Sequence, residues 1–163
     1  MNSCGKEFEA WHEEQTIKEE PNETVLITPL GLRKGLLYSA IVHNEPQAIW
    51  LLTSKESAEY VNDVCQQADF HGNIHVVVME DPYTDFNRWQ TYMDQFIRTV
   101  EANKRARFVV NLTGGTTAMQ YVVQQIAAKL KERGEHVQYV AQVDRRPVQQ
   151  SNKQTHTCYE GNS

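Results

Sequence analysis

The chain has 163 residues, of which 40% are hydrophobic and 23% are charged, which is the size and balance of one globular domain with a substantial core. Its net charge of −5 argues against binding to duplex nucleic acid, which relies on basic surface. No apolar run reaches membrane-spanning length and no apolar stretch follows the N-terminus, so we expect neither membrane attachment nor a secretory signal.

The metal-binding and disulfide-forming residue types are dispersed. Cys4, Cys65 and Cys158 are odd in number and form no C-x-x-C pair, and the six histidines stand singly. This pattern favours a reducing compartment over a disulfide framework or a zinc site. We therefore expect a cytoplasmic protein with no metal and no cofactor.

Short apolar runs alternate with amphipathic segments along most of the chain. We divide it into an acidic N-terminal extension, residues 1–22, and a domain, residues 23–163. Strands are predicted at 25–27, 48–52, 74–79, 108–112 and 137–143, and apolar residues at helical spacing follow each of the first four. The alternation predicts an α/β, Rossmann-like doubly wound fold: a mostly parallel sheet of about five or six strands with helices on both faces.

The segment 111–117 carries the clearest chemical signal. Its sequence, Asn-Leu-Thr-Gly-Gly-Thr-Thr, lies between a buried strand and a long amphipathic helix. Two glycines let the backbone approach a ligand closely, and the helix N-terminus directs free N–H groups at the same place. The segment therefore suits a phosphate; alternatively, it is only a tight turn in which Thr116 or Thr117 caps the helix.

The predicted topology places a second turn beside this one. In doubly wound sheets, ligands bind at the carboxyl ends of the strands where the strand order reverses. For an order of 3-2-1-4-5, that crevice lies between strands one and four, next to residues 28–31 and 113–117. The sequence contains no G-x-G-x-x-G, no P-loop and no G-x-S-x-G nucleophile elbow.

The two turns resemble those of a known family. Asn111-Leu112-Thr113-Gly114-Gly115-Thr116, opening a helix that carries Met119, resembles the N-x-T-G-G-T signature of CARF domains, the CRISPR-associated Rossmann folds. Thr28-Pro29-Leu30-Gly31 is similar to their first-strand loop, and the resemblance spans roughly residues 24–146.

The resemblance implies a homodimer that binds cyclic oligoadenylate, most often cyclic tetra-adenylate, across its two-fold axis. Stand-alone members similar to this chain are often metal-independent ring nucleases that end type III CRISPR signalling. In them a ribose 2′-hydroxyl attacks the adjacent phosphate. No HEPN-type R-x(4–6)-H motif and no carboxylate–lysine nuclease pattern follows the domain, so we expect a stand-alone protein or an excised sensor domain.

The resemblance and the turn chemistry together define the candidate residues. We assign catalysis to Thr28, Arg33, Thr113 and Thr117, and we expect slow turnover because no histidine lies in the predicted loops. Thr53 and Ser54 alternatively cap the second helix, in which Thr53 and Glu56 have capping-box spacing. The candidate ligand-binding residues are Thr28, Pro29, Leu30, Gly31, Thr53, Ser54, Asn111, Thr113, Gly114, Gly115, Thr116 and Thr117.

One position departs from the family pattern. The family often has a lysine directly after T-G-G-T, where this chain has Thr117. Arg33 and Lys34 either replace that cation or form solvated helix surface. The departure favours a first alternative, a non-catalytic sensor domain detached from an effector. A second alternative is a Rossmann-like enzyme that acts on a mononucleotide or sugar phosphate in a monomeric pocket.

Two further groups of residues have open roles. Residues 81–85 follow the third strand, and Tyr83 either stacks on an adenine or belongs to a plain loop in which Asp85 caps the next helix. Gln142, Asp144 and Arg145 end the fifth strand and either reach the ligand or the partner subunit or remain solvated.

Overall fold

A computed structural model describes residues 22–99 and 105–143 of the chain. Most of the predicted N-terminal extension lies outside these residues, as do Asp144 and Arg145. Within the described residues, five strands form one sheet in the order β3-β2-β1-β4-β5, and all neighbouring strands are parallel. The strands are β1 (Glu23–Leu30), β2 (Ala48–Ser54), β3 (Asn73–Met79), β4 (Ala106–Asn111) and β5 (His136–Val140).

Helices cover both faces of this sheet. They are α1 (Lys34–Asn44), α2 (Val61–Gln67), α3 (Trp89–Ile97) and α4 (Thr117–Glu132), with short 3₁₀ turns at Ser57–Tyr60 and Phe86–Arg88. The predicted α/β doubly wound fold is therefore confirmed, and the strand order is the one that the expected crevice between strands one and four required. None of the helices in the described part of the chain has both the length and the apolar character needed to cross a membrane.

The core has two layers, one on each face of the sheet. On one face, α3 and α4 pack against the sheet around the ring of Trp50, which stacks on Phe96 with 5.3 Å between ring centroids. Phe108 of β4 lies at the same distance from Trp50 in a tilted arrangement. On the other face, α1 and α2 cover Leu26 and Leu51. The central strands are buried on both faces, as their continuous apolar sequences predict.

The first strand is longer than predicted. We expected residues 28–31 to form a loop, but β1 continues through Leu30 because its pairing with β2 extends to Leu30 and Thr53. Pairing of β1 with β4 stops at Ile27, so at Pro29 the strand is paired with β2 but no longer with β4. Proline is tolerated at such a position because its missing N–H breaks no ladder bond there.

Two other local predictions are wrong. Thr53 does not cap the second helix, since its hydroxyl donates to Leu30 O at 2.8 Å. Ser54 accepts from Ser57 N at 3.1 Å, but α2 begins at Val61 and has no side-chain cap. The fifth strand ends at Val140 and not at residue 143. It ends there because Val140 pairs with Asn111, the last residue of β4, and none of the described strands pairs with β5 beyond that point.

Replacement of Phe96 by alanine tests the aromatic core. The side chain is fully buried, so we expect Phe96→Ala to lower the free energy of unfolding by about 3 to 5 kcal/mol, through lost burial and the cavity left behind. Gln95→Ala, on the exposed side of the same helix, is the matched control and should change it by less than about 0.5 kcal/mol. Urea unfolding curves measure both, and equal effects would contradict the packing.

Candidate ligand-binding site

The turn between β4 and α4 has a conformation that requires glycine. Gly114 and Gly115 have φ angles of +94° and +73°, in the region that side chains disfavour. The Asn111 side chain is bonded twice to the backbone of the turn. Its oxygen accepts from Thr113 N at 3.1 Å, and its amide nitrogen donates to Thr113 O at 3.1 Å. The same nitrogen donates to the Thr28 hydroxyl at 3.0 Å. Asn111 and Thr28 are both fully buried, so they support the turn from inside.

The ends of β1 and β4 are in direct contact. A Cβ atom built on Gly31 would lie 2.9 Å from Gly115 Cα, and one built on Gly115 would lie 2.7 Å from Pro29 Cβ. Real Cβ atoms do not come that close to other heavy atoms. The predicted meeting of the two turns is confirmed, and glycine is what allows it.

Helix α4 begins directly after this turn. Thr116 is the N-cap, and its hydroxyl accepts from Met119 N at 3.1 Å. In the described residues the N–H groups of Gly114 and Gly115 have no hydrogen-bond partner. Unpaired amides beside the positive end of a helix are suited to an anion. Thr117 is the exposed first residue of the helix.

A cavity of about 590 Å³ opens beside the turn, at the carboxyl ends of β1 to β4. Of the candidate residues, it is lined by Gly31, Arg33, Ser54, Thr113, Gly114, Gly115 and Thr116. The others, Thr28, Pro29, Leu30, Thr53, Asn111 and Thr117, do not line it. The structure therefore brings together the glycines and Arg33, whereas the buried polar residues Thr28, Thr53 and Asn111 bond within the protein.

A second wall of the cavity is formed after β2 and β3; the sequence pointed to Ser54 and, as one alternative, to Tyr83 there, and it missed the other residues. The wall includes Lys55 and Glu56 after β2, and Met79, Glu80 and Pro82 at the end of β3 and in the following loop. A signal for this wall existed, because the carboxyl ends of adjacent parallel strands meet at one edge of the sheet. Leu32, Leu36, Ser57, Tyr83 and Met119 complete the lining.

The loop after β3 is held by its own side chains. Asp81 accepts from the backbone N–H groups of Tyr83 at 2.9 Å and Thr84 at 3.2 Å, and from the Thr84 hydroxyl at 2.6 Å. The Thr84 hydroxyl bond, followed by the Tyr83 backbone bond, lowers the pKa of the Asp81 carboxyl. The carboxyl therefore stays ionised, and keeps accepting these bonds, down to acidic pH.

The far end of this loop is joined to α3. The Tyr92 hydroxyl donates to Asp85 and accepts from Glu80 N at 3.1 Å. Burial, followed by the bond to Asp85, raises the pKa of Tyr92, so its hydroxyl keeps its proton. Asp85 does not cap the following turn, contrary to one sequence prediction, because its carboxylate binds Tyr92 and approaches Arg88.

The two candidate cations at the start of α1 have different surroundings. Arg33 lines the cavity, and its guanidinium forms no ion pair within residues 22–99 and 105–143. Lys34 instead lies with Nζ 3.9 Å from the ring centroid of Tyr60, in a cation–π contact. Among the described residues, no cluster of three or more histidine, cysteine or carboxylate side chains could hold a metal.

The family follows from comparison with known proteins. A family model described as the Card1 CARF domain matches residues 39–160. The chain belongs to this CARF family. The match includes the glycine turn after β4 and confirms the resemblance given by N-x-T-G-G-T. No curated protein matches the chain.

Solved structures share the fold of this CARF domain. Can2 from Sulfobacillus thermosulfidooxidans, in complex with cyclic tetra-adenylate, has a TM-score of 0.55 and 18% identity over 72% of this chain and 32% of that chain. A type III CRISPR defence DNA nuclease activated by cyclic oligoadenylate has a TM-score of 0.51 and 17% identity, over 74% of this chain and 19% of that chain. Enterococcus italicus Csm6, bound to cyclic hexa-2′-fluoro-hexa-dAMP, has a TM-score of 0.51 and 15% identity, over 76% of this chain and 34% of that chain. The chain thus spans about a third or less of each.

Two glycine substitutions test the contact between the turns. Both glycines have a left-handed backbone, with φ of +73° at Gly115 and +83° at Gly134. A new Cβ would meet Pro29 in Gly115→Ala, whereas in Gly134→Ala it would have nothing within 4 Å. We expect Gly134→Ala to cost about 1 to 2 kcal/mol of unfolding free energy and Gly115→Ala to cost about 1 to 3 kcal/mol more through overpacking. Denaturant unfolding measures both, and equal losses would show that the turns are not in contact.

Proposed function

We propose that this CARF domain binds cyclic oligoadenylate, most favourably cyclic tetra-adenylate, at a homodimer interface. The observation that carries the proposal is the pair of N–H groups of Gly114 and Gly115 at the N-terminus of α4, which have no partner in the described part of the chain. They border the cavity that Arg33 also lines. Backbone amides and one guanidinium suit a phosphate diester. The structures of similar fold, two of them holding cyclic ligands, support the same class of ligand.

The proposed dimer follows from the size and charge of such a ligand. Each nucleotide of the ring carries one phosphate, and one turn with two free amides suits one phosphate. A ring of four needs more than one such turn. A second copy of the chain, related by a two-fold axis, supplies another turn facing the first.

Within this proposal, the domain also cleaves the ring slowly without a metal. The ribose 2′-hydroxyl loses its proton as its oxygen bonds to the adjacent phosphorus, and the bond from that phosphorus to the 5′-oxygen breaks as the 5′-oxygen takes up a proton. The products carry a 2′,3′-cyclic phosphate and a 5′-hydroxyl. Gly114 and Gly115 amides would stabilise charge on the phosphoryl oxygens, and Arg33 would add a cation there. Thr113 retains a hydroxyl proton to donate, since its oxygen accepts from Gln142 N at 3.0 Å.

Slow turnover fits the residues available for proton transfer. Among the described residues that line the cavity there is no histidine, the side chain most often used as a general base near neutral pH. Rate enhancement would then come from holding the 2′-oxygen in line with the leaving oxygen. Thr28 and Thr117, proposed as catalytic from the sequence, lie outside the cavity lining, so we now assign the phosphate contact to the two amides and Arg33.

The non-catalytic sensor is the main alternative. Its support is Thr117, which replaces the lysine frequent in the family and leaves Arg33 and Lys55 as the cations of the described lining. The other alternative is an enzyme for a mononucleotide or sugar phosphate. A cavity of about 590 Å³ is within the usual size of a small-molecule pocket, so a monomer that binds such a ligand would favour it.

Binding and cleavage of the ring are measured separately. We expect cyclic tetra-adenylate at about 100 times its Kd to stabilise the folded protein by about 2.7 kcal/mol, seen as a raised melting temperature. Incubation with labelled ring and chelator, at protein excess, should yield the linear product. An intact ring would leave the sensor as the function, and an unchanged melting temperature would refute ligand binding.

Arg33→Gln tests the proposed phosphate contact. Loss of a charge-assisted hydrogen bond should weaken binding of cyclic tetra-adenylate by about 1.5 to 3 kcal/mol, measured by titration calorimetry. Lys34→Gln is the matched control, because the neighbouring cation is over Tyr60 and not in the cavity. Equal losses in the two variants would indicate only a general effect of positive charge.

A further inference from the structure

The two walls of the cavity differ in chemistry. The wall formed by β1 and β4 presents the amides of Gly114 and Gly115 and the cation of Arg33. The wall formed after β2 and β3 includes two carboxylate residues, Glu56 and Glu80, and one cation, Lys55. Carboxylates repel phosphate oxygens and accept hydrogen bonds from N–H groups. A ligand with phosphates and amine-bearing bases would therefore place its phosphates and bases on opposite walls.

Tyr83 stands on the carboxylate side with its ring free. The side chain is 69% exposed and forms no hydrogen bond or ring contact with the described residues. Its backbone, in contrast, is held: Asp81 accepts from Tyr83 N, and the Thr116 hydroxyl donates to Pro82 O. An exposed aromatic ring on a held backbone is suited to stacking, because little backbone freedom is lost when a base binds.

The two carboxylates of this wall are not equivalent. Glu80 Oε2 accepts from Arg88 Nη1 at 2.5 Å, so its charge is balanced by a guanidinium. Glu56 forms no ion pair or side-chain hydrogen bond within residues 22–99 and 105–143. Its carboxylate is the group available to accept from a ligand.

We propose that the wall after β2 and β3 is a nucleobase subsite of the ligand site. Tyr83 stacks on a base, and the Glu56 carboxylate accepts from the exocyclic amine of that base. The subsite selects adenine over hypoxanthine, which presents a carbonyl oxygen where adenine has its amine. This assignment rests on the proposed function, and it adds the groups that recognise the base to those that hold the phosphate.

Titration calorimetry with two rings tests the subsite. The probes are cyclic tetra-adenylate and cyclic tetra-inosinate, and the proteins are wild type, Tyr83→Ala, Tyr83→Phe and Glu56→Gln. Tyr83→Ala should bind the adenylate ring roughly ten- to a hundredfold more weakly, whereas Tyr83→Phe, which keeps the ring face, should stay within about twofold. Both side chains are exposed, and equal melting temperatures of the free proteins check that the fold is intact.

The discrimination between the rings tests Glu56. Wild type should prefer the adenylate ring by about tenfold or more, because the carbonyl of hypoxanthine meets a carboxylate. Glu56→Gln should lose most of this preference, since an amide can accept from adenine or donate to hypoxanthine. Unchanged binding by Tyr83→Ala, or full discrimination by Glu56→Gln, overturns the subsite while the proposed function stands. Wild type that binds neither ring overturns both.

Discussion

The close contact between the ends of β1 and β4 is the constraint on which the site depends. These strands are neighbours where the sheet order reverses, and Gly31 and Gly115 approach too closely for either to carry a Cβ atom. The turn after β4 has a left-handed backbone at Gly114 and Gly115, and the N–H groups of both glycines have no hydrogen-bond partner within residues 22–99 and 105–143. The helix that starts there adds its dipole to the same point. The proposed anion site thus depends on how the two strands end.

Buried polar residues maintain that geometry without reaching the cavity. Asn111 joins the turn to Thr28 on the neighbouring strand, and Thr53 ties β2 to Leu30. All three polar side chains are fully buried, where an unpaired group would cost about 1 to 3 kcal/mol. Their hydrogen bonds stabilise the carboxyl ends of the strands. A hydroxyl or amide beside a ligand turn is therefore not by itself a ligand contact.

The opposite wall of the cavity depends on a separate set of contacts. The loop after β3 is folded on Asp81 and is joined to the start of α4 through Thr116 and Pro82. The same residue, Thr116, caps the helix. One side chain therefore joins the helix that follows the glycine turn to the loop that carries Tyr83. The hydrogen bond between Thr116 and Pro82 connects the two walls of the cavity, although β3 and β4 are not neighbours in the sheet.

The sequence by itself determined the alternation of strands and helices and marked the two glycine turns, because these follow from apolar periodicity and from glycine and proline. The meeting of the turns depended on the strand order, which was a condition of the prediction and which the tertiary structure supplied. The sequence also placed the helix cap at Thr116 or Thr117. Only the tertiary structure decided that Thr28 lies within β1, that Thr53 bonds to Leu30, and that Glu56 and Tyr83 face the cavity. These depend on the register between strands distant in sequence, which local patterns do not specify.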